Sequence, residues 1–317
     1  MPDQRPRTLC ILGCGNLGTA ILKSLLDSPN QIFTHYIACV NTQSSLQRLI
    51  AQFPHHSANL TIIAEKSIPN NSNIVIARAD VTILALDPSS LRGVLVRPGI
   101  SRALEGKLLI SVVAGWTRRK LEETIYGKAS PADGDGDGDS ELPLKRASII
   151  RTLPNIAAHV SQSLTAIEID PTCTIPAEYL ALTDSIFSTI GKTIHIPPSL
   201  IDATTAVAGS TPAMFAVIVD SMIDAAVAVG VPRELAQTMI FQAMQGTATM
   251  LQSGVRPAEL KEQGTSPEGC TIAGLMVMEE RGVRGGVGRA LREAVSVARV
   301  MDGERHVNDT RGEGVGR

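Results

Sequence analysis

A glycine-rich motif near the start of the chain limits the fold more than any other feature. Residues 13–18 read Gly-Cys-Gly-Asn-Leu-Gly, with a β-rich segment before them at Thr8–Leu12 and an amphipathic segment typical of a helix from Asn16 to Asp27. In this setting the first glycine of GxGxxG permits a tight turn, the second lets the backbone approach a pyrophosphate, and the third allows close packing. The motif therefore predicts a strand and helix that bind a dinucleotide; the alternative is a glycine turn without a ligand. The residues predicted to bind are Gly13, Cys14, Gly15, Asn16, Leu17 and Gly18.

Short β-rich segments alternate with helical segments as far as about residue 152. Besides the first strand and helix, the sequence predicts strands at residues 36–40, 81–86 and 108–113 and helices at residues 44–52 and 89–103. Such alternation is typical of a parallel sheet with helices packed on it. We therefore predict an α/β fold that begins with a Rossmann-type parallel sheet domain.

The end of the second predicted strand bears on the choice of dinucleotide. An acidic residue there would bind the ribose hydroxyls of NAD, but residues 40–44 read Val-Asn-Thr-Gln-Ser. Asn41, Thr42 and Ser44 can donate hydrogen bonds instead, and Arg48 lies one helical turn further along. We expect NADPH as the cofactor, with NADH as the second choice. The alternative is that these polar residues only cap the next helix.

Two further turns follow strands at the same edge of the predicted sheet. Residues 85–88 read Ala-Leu-Asp-Pro, and residues 113–117 read Val-Ala-Gly-Trp-Thr. Small residues at the carboxyl ends of strands would let a nicotinamide ring approach, although an ordinary strand-to-helix connection explains each turn equally well. The candidate cofactor residues in these turns are Ala85, Leu86, Asp87, Pro88, Ala114 and Gly115.

The chain changes character near Pro197 and Pro198, which disfavour regular structure. Long segments rich in Ala, Val and Met follow, and the sequence predicts helices at about residues 212–229, 233–251, 271–280 and 283–301. We predict a dinucleotide-binding Rossmann domain at residues 1–196 and an all-helical dimerisation and substrate domain at residues 197–301. A flexible tail is expected at residues 302–317.

Composition and charge exclude several classes of protein. With 29 Lys and Arg against 31 Asp and Glu, the net charge of -2 does not suit a nucleic-acid partner. The five cysteines form no CxxC pair, so neither a metal site nor a disulfide framework is expected. No secretion signal is evident, so we expect a cytoplasmic protein. Residues 201–231 are apolar but contain aspartates and a Gly-Ser-Thr-Pro break; we interpret them as a buried helix in a soluble protein, without a membrane partner.

An insertion at about residues 128–143 contains the sequence Asp-Gly-Asp-Gly-Asp-Gly-Asp at residues 133–139. Its first six positions resemble a calcium-binding loop, but the twelfth is Leu144 rather than the glutamate that such a loop requires. We therefore expect a flexible surface insertion and no metal.

Three later segments complete a pattern that points to one family. Residues 151–155 read Arg-Thr-Leu-Pro-Asn, residues 208–213 read Ala-Gly-Ser-Thr-Pro-Ala, and residues 265–275 read Thr-Ser-Pro-Glu-Gly-Cys-Thr-Ile-Ala-Gly-Leu. Following a GxGxxG unit, they resemble the patterns MPN, SGSGPA and SPGGTTIAGL of the pyrroline-5-carboxylate reductases. The resemblance covers about residues 8–301. It implies NAD(P)H-dependent hydride transfer to the C=N carbon of a small cyclic imine carboxylate, pyrroline-5-carboxylate or a substituted analogue, giving proline or a derivative. It also implies a homodimer or a ring of dimers.

The resemblance also implies roles for residues in these segments. Asn155 would contact the cofactor, and Thr271 would be the catalytic residue, offering its hydroxyl to the imine nitrogen. Free N–H groups at the start of the helix near residue 271 would suit a substrate carboxylate; the alternative is that Thr271 only caps this helix. The candidate substrate residues are Ser210, Thr211, Ser266, Glu268, Gly269, Cys270 and Thr271.

The chain departs from the family patterns at three positions of interest. Thr211 and Glu268 stand where the family has glycine, and Asp87 stands where lysine is usual. A carboxylate at Glu268 would repel a substrate carboxylate unless it points to solvent. Two alternatives therefore stay open: a dinucleotide-binding regulator without turnover, and a dehydrogenase of the β-hydroxyacid type. The second relies on a helix lysine, and the chain has none between Lys192 and Lys261.

Overall fold

The computed structural model describes residues 7–65, 71–127 and 145–301, with the side chains of residues 71 and 72 excepted. The predicted insertion at residues 128–143 and the predicted tail at residues 302–317 lie outside the described residues.

Within these described residues, eight strands form one sheet. They are β1 (Thr8–Leu12), β2 (His35–Val40), β3 (Leu60–Ala64), β4 (Val81–Leu84), β5 (Leu108–Ser111), β6 (Ser148–Leu153), β7 (Ser163–Glu168) and β8 (Gly191–Ile196). Their order is β3-β2-β1-β4-β5-β6-β7-β8. Strands β1 to β6 pair in parallel, and β7 joins β6 antiparallel. The predicted Rossmann-type sheet is confirmed. Because the strand order reverses between β1 and β4, a ligand cleft is expected at their carboxyl ends.

Seven helices accompany the strands of this sheet. They are α1 (Asn16–Asp27), α2 (Gln43–Gln52), α3 (Asn71–Arg78), α4 (Pro88–Leu95), α5 (Ile100–Ala103), α6 (Arg118–Tyr126) and α7 (Ala177–Ser188). Both faces of the sheet are buried at β1, since Leu9 and Ile11 belong to one apolar cluster while Cys10 and Leu12 belong to another. The single helix predicted at residues 89–103 is wrong. It is divided into α4 and α5 because Pro98 cannot donate a hydrogen bond and Gly99 has a φ of 84°.

The remaining elements are helical. They are two 3₁₀ helices (Ile156–Val160 and Pro198–Leu200), α8 (Ile201–Thr204), a π-helical segment (Thr205–Ser210), α9 (Thr211–Ala228), α10 (Arg233–Gln252), α11 (Pro257–Gln263), α12 (Cys270–Glu280) and α13 (Val283–Arg299). The chain divides into two compact units. The first runs to Gly209 and includes the residues from Val297, and the second runs from Ser210 to Ser296.

Much apolar surface of the second unit is exposed in the single chain. Helix α9 buries one residue, Ile223, and α12 buries none. Residues 201–231 are largely helical as predicted, but the single chain by itself buries few of them. By length and composition, the helical stretch Pro198–Ala228, with a mean hydropathy of 1.5, could also cross a membrane. An apolar surface of this extent indicates a covering partner.

Candidate active site

The glycine motif forms the turn between β1 and α1. Gly13 has a φ of 96°, and a Cβ there would lie 2.5 Å from the carbonyl oxygen of Ala85. A Cβ at Gly18 would lie 2.1 Å from the carbonyl oxygen of Gly13. A Cβ at Gly15, in contrast, would meet nothing within 4 Å. Gly13 and Gly18 thus serve packing, whereas Gly15 leaves open space beside the loop, as the approach of a phosphate requires.

The start of α1 is suited to an anion. Its N-cap residue is Gly15, which has no side chain to accept from the first N–H groups, and no acidic residue occupies the first turn. The N–H groups of the first turn have no partner within the helix, and the helix dipole favours negative charge there. The pyrophosphate of a dinucleotide fits both this positive end and the open space at Gly15.

A cleft of about 470 Å³ opens in front of this loop. It lies at the carboxyl ends of β1, β2 and β4, where the strand order reverses. Of the predicted cofactor residues, the cleft brings together Gly13, Cys14, Gly15, Asn41, Ala85, Leu86 and Asp87. It is also lined by Arg48, already noted one helical turn beyond Ser44, and by residues that sequence reasoning did not select, among them Cys39, Ser45, Glu65 and Arg97.

The other predicted cofactor residues do not line this cleft. Asn16, Leu17 and Gly18 belong to the first turn of α1. Thr42 is the N-cap of α2: its Oγ1 accepts a hydrogen bond from the backbone N–H of Ser45 at 3.2 Å and lies 3.0 Å from the Oγ of Ser44. The capping alternative therefore describes Thr42.

The turns farther along the sheet are shaped by local contacts. Pro88 begins α4, and Ala114 directly precedes Gly115 after β5. Gly115 has a φ of 72°, and a Cβ there would lie 3.1 Å from the Cβ of Met301. The amide of Asn155 donates to the carbonyl of Ala208 at 2.9 Å and so links the end of β6 to the π-helical segment.

The predicted substrate residues belong to the second unit. Ser210 ends the π-helical segment and Thr211 begins α9. The turn before α12 is closed by a hydrogen bond from the backbone N–H of Gly269 to the carbonyl of Ser266 at 3.0 Å. Gly269 is the N-cap of α12, so the alternative that Thr271 caps this helix is wrong. Cys270 and Thr271 form the first turn of α12, and both are exposed in the single chain.

Glu268 has a backbone conformation that favours glycine, the residue that the family pattern has at this position. Its φ is 60°, in the left-handed region that costs a residue with a Cβ about 1 kcal/mol or more. The side chain is exposed. The turn therefore retains the shape expected of the glycine form, and the carboxylate is added on its outside.

Comparisons with known proteins decide the family. Residues 198–301 match the family model described as pyrroline-5-carboxylate reductase dimerisation, and residues 8–115 match that described as NADP oxidoreductase, coenzyme F420-dependent. A pyrroline-5-carboxylate reductase of Lophium arboricola is 36% identical over 96% of each chain, and one of Neurospora crassa is 34% identical over 96% of each. The chain belongs to the pyrroline-5-carboxylate reductase family. The family predicted from the motifs is thus confirmed, and with it an NAD(P)H-dependent oxidoreductase acting on a C=N bond.

Solved structures of pyrroline-5-carboxylate reductases share the fold. The NADP-bound structure from Plasmodium falciparum gives a TM-score of 0.73 at 22% identity and covers 93% of this chain and 98% of that chain. The structure from Streptococcus pyogenes gives a TM-score of 0.71 at 23% identity and covers 92% and 97%. The exposed apolar helices fall within the residues that match the dimerisation model of the pyrroline-5-carboxylate reductase family, which supports oligomerisation.

The thiols of Cys14 and Cys39, beside the cleft, are poorly reactive. Burial raises the pKa of Cys14 to about 12, and burial together with the neighbouring Glu65 carboxylate raises the pKa of Cys39 to about 12. Both thiols are therefore protonated at neutral pH and are poor nucleophiles. Hydrogen bonds from Ser89 lower the pKa of Asp87, which caps α4 as a carboxylate. These groups shape the cleft without offering covalent catalysis.

Proposed function

We propose that the protein reduces the C=N bond of pyrroline-5-carboxylate, or of a ring-substituted analogue, with NADPH. The observation that carries this proposal is the open space at Gly15, beside the uncapped start of α1, in a chain of the pyrroline-5-carboxylate reductase family. When bound, NADPH supplies the hydride that reduces the imine carbon. The backbone N–H groups at the start of α1 bind the pyrophosphate. Cleft residues Asn41, Ala85, Leu86 and Asp87 surround the rest of the cofactor.

The substrate is held by the turn before α12 in this proposal. The N–H groups of Cys270 and Thr271 lie at a helix N-terminus without an acidic residue in its first turn, which supports binding of a carboxylate. The hydroxyl of Thr271 forms a hydrogen bond with the imine nitrogen and orients it. It donates to the neutral imine and accepts from the N–H of the protonated imine. A protonated C=N accepts hydride readily, so positioning supplies most of the rate. Ser210, Thr211 and Ser266 complete the proposed substrate site.

We infer a homodimer and, as a further step of assembly, a ring of dimers. The cofactor residues belong to the first unit and the substrate residues to the second, and α12 buries no residue in the single chain. A second copy that covers α9 and α12 would also enclose the substrate turn. The five cysteines are free thiols, which supports a reducing compartment such as the cytoplasm.

The proposed function is tested by following NADPH oxidation with pyrroline-5-carboxylate and identifying proline as the product. We expect steady turnover, with a higher kcat/KM for NADPH than for NADH. Tight NADPH binding without turnover on any pyrroline carboxylate would favour the dinucleotide-binding regulator instead, a role that Thr211 and Glu268, which replace family glycines, would suit.

A further inference from the structure

The hydroxyls that follow β2 are already engaged within the chain. Thr42 Oγ1 accepts from the backbone N–H of Ser45 at 3.2 Å and lies 3.0 Å from the hydroxyl oxygens of both Ser44 and Ser45. For these hydroxyls to donate to a phosphate, the hydrogen bonds between Thr42 and the two serines would have to be rearranged. The turn therefore provides fewer donors for a 2′-phosphate than its sequence indicates.

Arg48 of α2 reaches from the next turn of the helix into the same cleft. One terminal nitrogen, Nη2, donates to the carbonyl of Cys14 at 2.5 Å. The other, Nη1, lies 3.5 Å from Thr19 Oγ1 and 3.4 Å from Gln52 Oε1. A guanidinium has five N–H donors. Within the described part of the chain these contacts leave the Nε–H and one N–H of Nη2 without a partner, so a positioned guanidinium retains donors for a ligand.

The charge of Arg48 is not balanced by a carboxylate of the described residues, unlike that of the other cation lining the cleft. Arg97 forms an ion pair with Glu65, and its Nε donates to the carbonyl of Gly93 at 3.2 Å. The remaining carboxylate of the cleft, Asp87, accepts from the backbone N–H of Ser89 at 2.9 Å. The uncompensated positive charge beside the end of β2 is thus that of Arg48.

We infer that Arg48 binds the 2′-phosphate of NADPH and sets the preference for NADPH over NADH. This inference rests on the proposed function, since it concerns the same cofactor cleft. A guanidinium and a phosphate form paired, charge-assisted hydrogen bonds. Because the same side chain holds the carbonyl of Cys14 in the glycine loop, recognition of the 2′-phosphate is joined mechanically to the loop that meets the pyrophosphate.

Two nucleotides that differ by one phosphate test the inference without turnover. Adenosine 2′,5′-bisphosphate and 5′-AMP are titrated into the full-length protein by calorimetry, with wild type, Arg48→Gln, Arg48→Lys and the control Arg92→Gln. Arg92 is an exposed residue of α4 that does not line the cleft, so its replacement removes the same charge elsewhere. We expect Arg48→Gln to weaken binding of the bisphosphate tenfold to a hundredfold and binding of 5′-AMP less than threefold. Arg48→Lys should lose less affinity for the bisphosphate than Arg48→Gln does, and Arg92→Gln should leave the affinity for both nucleotides unchanged.

Three results would overturn the inference. Equal weakening of both nucleotides in Arg48→Gln would mean that Arg48 only supports the glycine loop. No weakening in a folded Arg48→Gln would place the 2′-phosphate elsewhere. Equal binding of both nucleotides by wild type would remove the 2′-phosphate site altogether. If Arg48→Gln fails to fold, the test is the ratio of the affinities of Arg48→Lys for the bisphosphate and for 5′-AMP. A ratio equal to that of wild type would contradict a paired contact between the Arg48 guanidinium and the phosphate. The proposed function fails separately, when wild type binds NADPH but does not reduce pyrroline-5-carboxylate.

Discussion

Gly15 and Gly18 lie three residues apart in one motif, yet the structure needs them for different reasons. A side chain at Gly18 would collide with the backbone of Gly13, whereas a side chain at Gly15 would enter the open space of the cleft. The first constraint concerns the fold and the second concerns a ligand. Substitutions at the two positions should therefore separate stability from binding.

Gly15→Val should abolish NADPH binding while the thermal midpoint changes by only a few degrees. A Cβ at this position would have no protein atom within 4 Å, and the side chain would enter the space proposed for the pyrophosphate. Fluorescence titration with NADPH and thermal melting measure the two effects. Gly18→Val is the contrasting control, because it must displace the backbone and should unfold or strongly destabilise the protein. Unchanged NADPH affinity in Gly15→Val would show that the cofactor binds elsewhere.

Thr271→Ala tests the proposed orienting role in the first turn of α12. Loss of one hydrogen bond in the transition state is worth about 1–3 kcal/mol, which corresponds to roughly a tenfold to hundredfold fall in kcat/KM. NADPH affinity should not change, because the cofactor residues lie in the other unit. Ser185→Ala removes an exposed helical hydroxyl from α7 and should leave kcat/KM unaltered. Normal kinetics in Thr271→Ala would remove this hydroxyl from the mechanism.

At the scale of elements, the antiparallel contact between β6 and β7 contains a buried ion pair. Arg151 Nη1 lies 2.7 Å from Glu168 Oε2, and the two side chains are 8% and 5% exposed. Burial raises the pKa of Glu168, and the Arg151 guanidinium opposes this shift without cancelling it. The carboxylate therefore depends on its partner to remain charged inside the protein.

Arg151→Met should destabilise the protein by about 3–5 kcal/mol, since it leaves a buried carboxylate without its counter-charge. The pKa of Glu168 should rise further, so the stability of the variant should be greatest at low pH and should fall as the pH rises through that pKa. Urea unfolding at several pH values measures this. The double variant Arg151→Met/Glu168→Leu should recover much of the lost stability. A double variant as unstable as Arg151→Met alone would contradict this account.

The elements also show what the sequence could and could not predict. Strand β1 and helix α1 were predicted with their observed bounds, because a β-rich run, a glycine turn and a helical apolar stripe each leave a local signal. The contact of Arg48 with Cys14 spans 34 residues and leaves no such signal. The sequence favoured a phosphate-binding role for Thr42 and left capping as the alternative, and its capping geometry is visible only in the structure. Glu65 follows β3, whose bounds were not predicted, so its place in the cleft could not be foreseen.

At the scale of the whole molecule, the apolar face of the second unit should determine the state of association. Val277 of α12 is 55% exposed in the single chain. Val277→Glu should convert the oligomer to monomer and abolish turnover, because a charge buried at an apolar interface is costly. Sedimentation at micromolar concentration measures the first effect. Val96→Glu, at a position 53% exposed in the first unit, is the control. An active monomer, whether of wild type or of Val277→Glu, would contradict the proposed assembly.

The turn proposed to bind the substrate leads into α12, a helix with no residue buried by its own chain. A helix of 11 residues with so little support is only marginally stable by itself. Mass action then connects catalysis to concentration, because each partner that dissociates removes stabilisation from the substrate turn. Specific activity should fall when the protein is diluted below the dissociation constant of the assembly. In the cell, a higher concentration of this protein should then raise the activity of each copy, in addition to supplying more copies.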